Sequence, residues 1–198
     1  MLNATEALAR LVEGNERFVA NRPAERSTAR PHAEQRPFAI VLGCSDSRVP
    51  AEIVFDQGIG DLFVVRVAGN VAAATQIGSI EFAAANFGTR LVVVLGHSRC
   101  GAVTATLDAV KSGRADSPGS LAAIVDRVRP TLEPLLASAR DTAPEQLLGE
   151  AVRANVRAAA DRLREGSSLL RDLIRDDGLA VVGAEYSLDS GVVDFFDR

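Results

Sequence analysis

Five short apolar runs recur along the chain, with helix-patterned stretches between most of them. Residues 38–43, 62–67, 91–96 and 179–184 are almost continuous in Phe, Val, Ile, Leu and Ala. Runs without polar alternation are carried by strands buried on both faces, as in a parallel sheet covered by helices. A fifth run, 192–196, is interrupted by Asp194 and reads as an edge strand. Residues 4–20 predict an amphipathic helix, with Leu8, Leu11, Phe18 and Val19 on one stripe and Glu13, Glu16 and Arg17 on the other face. Residues 50–55 start a short helix, and 72–86 form an Ala-rich one packed by Ile77, Ile80 and Phe82, with Gly88 as its stop. Another helix is expected over 101–110. After a Gly/Ser/Pro loop at 112–120 come helical segments interrupted at Pro130 and Pro134. Thr142-Ala143-Pro144-Glu145 has the form of a capping box. Leu148, Val152, Asn155, Val156, Ala159 and Leu163 follow at helical spacing, and a last helix over 168–177 stops at Gly178. Strand–helix alternation of this kind predicts one α/β domain with a central, mostly parallel sheet flanked by helices.

Composition narrows the functional classes. The 198 residues are 47% apolar, with 22 basic and 26 acidic side chains and a net charge of −4. Without a basic surplus, binding to nucleic acid has no electrostatic support. No apolar run approaches the ~20 residues that cross a bilayer. The first residues lack the charged and apolar regions of a signal peptide, so a soluble, cytoplasmic protein is expected. Two cysteines in a chain of this length are no disulfide framework, which suits a reducing compartment. Asn21–Pro37, rich in Pro and charge, reads as a connector: either a surface strap or an arm that docks on a second subunit.

The chemistry is concentrated in two segments. Both cysteines and one of the two histidines fall within Cys44-Ser45-Asp46-Ser47-Arg48 and His97-Ser98-Arg99-Cys100-Gly101. Each segment follows a buried run that closes in glycine. Cys44, His97 and Cys100 would therefore emerge at the carboxyl ends of parallel strands, where open α/β sheets build their sites. Taken singly, each is as well explained as a small core residue. Together they make a Cys₂His set suited to Zn²⁺, with one coordination position left for water or substrate. A structural zinc needs a fourth protein ligand, and the second histidine, His32, lies in the Pro-rich connector. Asp46 is close enough in sequence to reach the metal or its water, and Arg48 can pair with it bidentately and keep it ionised.

Cys44–Pro50 and Gly96–Val103 resemble the paired zinc motifs of the β-class carbonic anhydrases. Phe63–Arg66, Gly69-Asn70 and Gly78–Phe82 are also similar to segments of that family, so the resemblance spans nearly the whole chain. It implies a zinc enzyme that interconverts carbon dioxide and bicarbonate through zinc-hydroxide attack. It implies a homodimer or dimer-based tetramer, with the N-terminal helix laid over the partner. Asp46 and Arg48 would be the catalytic pair, with Asp46 either held by Arg48 or closed onto zinc. By position, Gln35 would reach bicarbonate across the dimer, Phe63 and Phe82 would line an apolar pocket, and the Gly101 N–H would donate to substrate. Two departures stand out: Phe82 replaces a tyrosine common in relatives, and Val41 replaces the tryptophan of a bicarbonate-regulated subgroup. Without that tryptophan the open arrangement, Asp46 on Arg48, is expected. Three alternatives use the same residues: a carbon disulfide hydrolase on this scaffold, a non-catalytic zinc module, and a redox switch between Cys44 and Cys100.

Overall fold

In the computed structural model, which describes residues 2–24, 35–113, 119–138 and 142–197, the apolar runs form one five-stranded sheet. Its order is β2-β1-β3-β4-β5, from β1 (Ala39–Gly43), β2 (Leu62–Arg66), β3 (Leu91–His97), β4 (Ala180–Tyr186) and β5 (Val193–Asp197). The first four are parallel and β5 runs antiparallel to β4. The continuous runs at β1 and β3 are explained by burial on both faces, since every residue of the two strands is buried. Val41, Val93 and Leu95 face one layer with Ala7, Leu11 and Phe55, whereas Ile40, Leu42, Val92 and Val94 face the other with Ile80, Val156 and Leu163.

The helices are α1 (Ala4–Val19), α2 (Ala51–Val54), α3 (Ala74–Asn86), α4 (Gly101–Lys111), α5 (Ala122–Ser138), α6 (Pro144–Gly166) and α7 (Ser168–Asp176). From β1 the chain goes to one side of the sheet for β2 and to the other for β3. The gap between the ends of β1 and β3 is thus the topological switch point, the place where such sheets bind ligands. Gly88 and Gly178 follow their helices with φ of 64° and 67°, a conformation costly for other residues.

Two expectations give way. First, α5 is one helix and is not broken at its prolines. Val125, Val128 and Leu132 bury one stripe, while Pro130 and Pro134 stand on the exposed side, where water takes up the carbonyls they leave unbonded. Second, α6 has no capping box. Ala143 caps it without a side-chain bond, and Pro144 opens it with its fixed φ. The capping box stands at α1, where the Asn3 side chain and Glu6 bond each other's backbone N–H at 2.9 Å. α1 packs on its own chain. Ala7 and Leu11 join the core, and a Cβ at Gly14 would lie 1.9 Å from the Phe55 carbonyl oxygen, so glycine permits the close approach. Asn15, buried at the same contact, donates to the Val54 and Gly191 carbonyls and accepts from the Val193 N–H. The middle of the connector, with His32, lies outside the described residues.

Candidate metal centre

Cys44 is the residue after β1, His97 ends β3, and Cys100 is the residue on which α4 begins. Because β1 and β3 are paired, with Gly43 opposite Leu95, the three side chains converge. Their ligand atoms lie within 4.8 Å of one another, and all three residues are buried. Close packing behind the loop holds this geometry, since a Cβ at Gly96 would lie 2.5 Å from Val156 Cγ2.

The donor set fits a soft divalent cation. His97 Nδ1 lies 3.0 Å from the Ser98 carbonyl oxygen, to which it donates when it carries the ring proton. That leaves the Nε2 lone pair free, and Nε2 is buried without a partner among the described residues. The thiols push each other apart. Hydrogen bonding from Cys100, with help from His97 and the Gly69 N–H, makes Cys44 give up its proton more readily than an ordinary thiol. The neighbouring Cys44 thiolate, together with burial, pushes Cys100 up. Two buried thiolates side by side are costly, and a bound Zn²⁺ offsets that cost.

Asp46 stands beside this cluster, with Oδ2 3.9 Å from His97 Nε2. Arg48 donates to it twice from its side chain, Nε to Oδ1 at 3.0 Å and an Nη to Oδ2 at 2.8 Å, and once from its backbone at 2.9 Å. These bonds hold the carboxyl well below the usual carboxylate range, against a smaller opposing effect of burial.

Supports from elsewhere in the chain carry no local sequence signal. Arg66, at the end of β2, donates to the Cys44 and Asp46 carbonyls at 2.8 and 2.5 Å. The Asn155 side chain, buried on α6, donates to the Gly69 carbonyl at 2.8 Å and steadies the turn whose N–H reaches Cys44 Sγ. Residues 186–189 clamp the other ligand loop. The Ser98 N–H bonds the Tyr186 carbonyl, the Leu188 N–H bonds the Ser98 hydroxyl, and Arg99, at a φ of +56°, pairs with Asp189.

The four substrate-contact candidates are not all gathered here. Gly101 is exposed at the start of α4, and a Cβ there would meet nothing within 4 Å. Phe63 and Phe82 pack instead at the β2 side of the sheet, 6.4 Å apart and both against Phe87. Phe63 belongs to the apolar layer under α3, while Cys44 and Cys100 belong to another. Phe82 is 51% exposed. Gln35 is exposed where the description resumes before β1.

A family model described as carbonic anhydrase matches residues 39–193. The chain is 42% identical over 194 residues to carbonic anhydrase 2 of Mycobacterium tuberculosis H37Rv, covering 96% of this chain and 91% of that protein. Among solved structures, it is similar to the β-carbonic anhydrase CafA of Aspergillus fumigatus, with a TM-score of 0.74, 28% identity, and 82% and 76% of the two chains covered. It is also similar to one described among two tetrameric β-carbonic anhydrases of Sordaria macrospora, with a TM-score of 0.66, 25% identity and 82% of each chain covered.

Proposed function

Because this chain belongs to the β-carbonic anhydrase family, we propose that it catalyses the reversible hydration of carbon dioxide to bicarbonate and a proton at one Zn²⁺ held by Cys44, His97 and Cys100. The observation that carries the reading is the buried, unpartnered His97 Nε2 within 4.8 Å of both sulfurs, with an arginine-held carboxylate 3.9 Å away. A catalytic zinc acidifies water, its established role in carbonic anhydrases. The remaining steps are assigned to the chain's own groups. Two thiolates bring more negative charge to the ion than neutral imidazoles would, so acidification here benefits from a nearby acceptor. Asp46 is that acceptor: its carboxylate takes a hydrogen bond from the attacking water and fixes its direction. Arg48 keeps Asp46 charged by bonding both of its carboxylate oxygens. The backbone N–H of Gly101, in the first turn of α4, is assigned to bind a bicarbonate oxygen.

Phe63, Phe82 and Gln35 work in this reading at a contact between two copies of the chain. The half-exposed phenyl group of Phe82, beside the edge strand β2, is the apolar wall that a second subunit would close over. A dimer or dimer-based tetramer is therefore proposed. A reducing compartment, the cytoplasm, suits the two free buried thiols. Among the described residues no helix is long and apolar enough to cross a membrane.

One sample tests the reading. Metal analysis should give about one zinc per chain, and stopped-flow CO₂ hydration should be fast and lost on chelation. Zinc without hydration would make this a non-catalytic site. Free thiols with no zinc in freshly purified protein would refute the metal assignment.

A further inference from the structure

Asp46 and Arg48 sit on the same loop. Their ion pair fixes the carboxylate relative to the loop but not the loop relative to the metal ligands. If the loop shifted, the pair would move with it. Something outside the loop must tie it to the sheet.

Arg66 is placed to do so. It is the last residue of β2, in register with Gly43 at the end of β1, so its backbone belongs to the hydrogen-bonded sheet. Its side chain turns back over the end of β1. Nε donates to the Cys44 carbonyl at 2.8 Å and an Nη donates to the Asp46 carbonyl at 2.5 Å. A guanidinium is planar, and its donors are fixed relative to one another. Two carbonyls on one such fork are held at a set separation, and these two belong to a metal ligand and to the carboxylate residue. The strand ladder runs on beneath them, with the Val67 N–H bonding the Gly43 carbonyl and the Ser45 N–H bonding the Val67 carbonyl at 3.3 Å. That last bond is long, so the guanidinium is the shorter and charged link.

We propose that Arg66 is a positioning residue: by bridging the Cys44 and Asp46 carbonyls it sets where the Asp46 carboxylate stands relative to the metal position. The inference rests on the carbonic anhydrase reading of the site and adds a residue to it. Arg48 holds Asp46 by its carboxylate, and Arg66, from the sheet, holds it by its backbone carbonyl. Without Arg66, the Asp46–Arg48 pair survives but drifts, and the carboxylate can reach the metal.

The test compares R66Q, R66K, D46N and the double variant D46N/R66Q, each loaded with zinc and, separately, with Co²⁺. R66Q should keep one metal per chain and lose about tenfold or more in kcat, the usual cost of losing a partner that orients a metal-site group. R66K, which can reach one carbonyl but not both, should recover part of the loss. In the D46N background the R66Q change should cost less than about twofold, because residues acting through one another are not additive. The visible absorption of cobalt should change in R66Q, as Asp46 approaches the ion, and should not differ between D46N and D46N/R66Q. Wild-type kcat in R66Q, or an equal loss in both backgrounds, would overturn the proposal. If R66Q fails to fold, R66K is read in its place, alone and with D46N. If the zinc-loaded wild-type enzyme does not hydrate CO₂, the functional reading fails and the cobalt spectra judge Arg66. An R66Q spectrum identical to wild type would then refute its positioning role.

Discussion

In the proposed reaction Asp46 is the residue on which the chemistry turns, and its environment predicts how it responds to pH. Its pKa is depressed, chiefly by hydrogen bonds from Arg48 to the charged form. A depressed pKa in the folded state contributes stability that is complete above the unfolded value, about pH 4, and is lost only as pH falls through the lower folded value. Between about pH 5 and pH 9 the Asp46–Arg48 pair is therefore constant. The rate profile of the wild-type enzyme should show no limb from Asp46 in that range. Asp46→Asn should retain zinc and lower CO₂ hydration by about a hundredfold or more at every pH tested, because a neutral amide is a weaker acceptor for the attacking water and loses the charged pairing with Arg48. Near-normal initial rates in that variant would reassign the role. The residues readable from sequence at this scale are those whose chemistry is local: Cys44 with Asp46 and Arg48, and His97 with Cys100, each set lying within a few positions. Arg66 and Asn155 were not readable. An arginine ending a strand and an asparagine within a helix look ordinary until the fold brings them to Cys44 and Gly69.

At the scale of elements, the metal site depends on how tightly β3 lies against α6. Gly96 is the point of contact, where an added Cβ would meet Val156 at 2.5 Å and Val152 at 3.3 Å. Gly96→Ala should therefore overpack the interface and lower stability by about 1–3 kcal/mol. Urea unfolding of the zinc-loaded protein would measure it, and an unchanged midpoint would show that α6 can yield. The strands were legible because continuous apolar runs have few other uses in a chain this size. The errors lay where packing outweighs local preference. Pro130 and Pro134 predict a break, yet the buried stripe of Val125, Val128 and Leu132 carries one helix through both. Thr142 and Glu145 have the spacing of a cap, but Pro144 starts α6 without one.

For the whole molecule, the aromatic group of Phe63, Phe82 and Phe87 marks the face on which association should depend. Light scattering at micromolar concentration should report a dimer or a multiple of it. Phe82→Glu should shift the protein towards monomer and reduce activity with it, and a fully active monomer would remove these rings from both roles. The clamp on the Ser98–Arg99 loop has a consequence of a different kind, one of timing. A growing chain has made all three metal ligands once Cys100 has been added. The groups that fix their loop, the backbones of Tyr186 and Leu188 and the carboxylate of Asp189, follow about 90 residues later, together with Gly191 and Val193, which fasten α1 through Asn15. The three side chains are thus synthesised well before their loop is set, so the proposed metal centre waits on a later stretch of the chain.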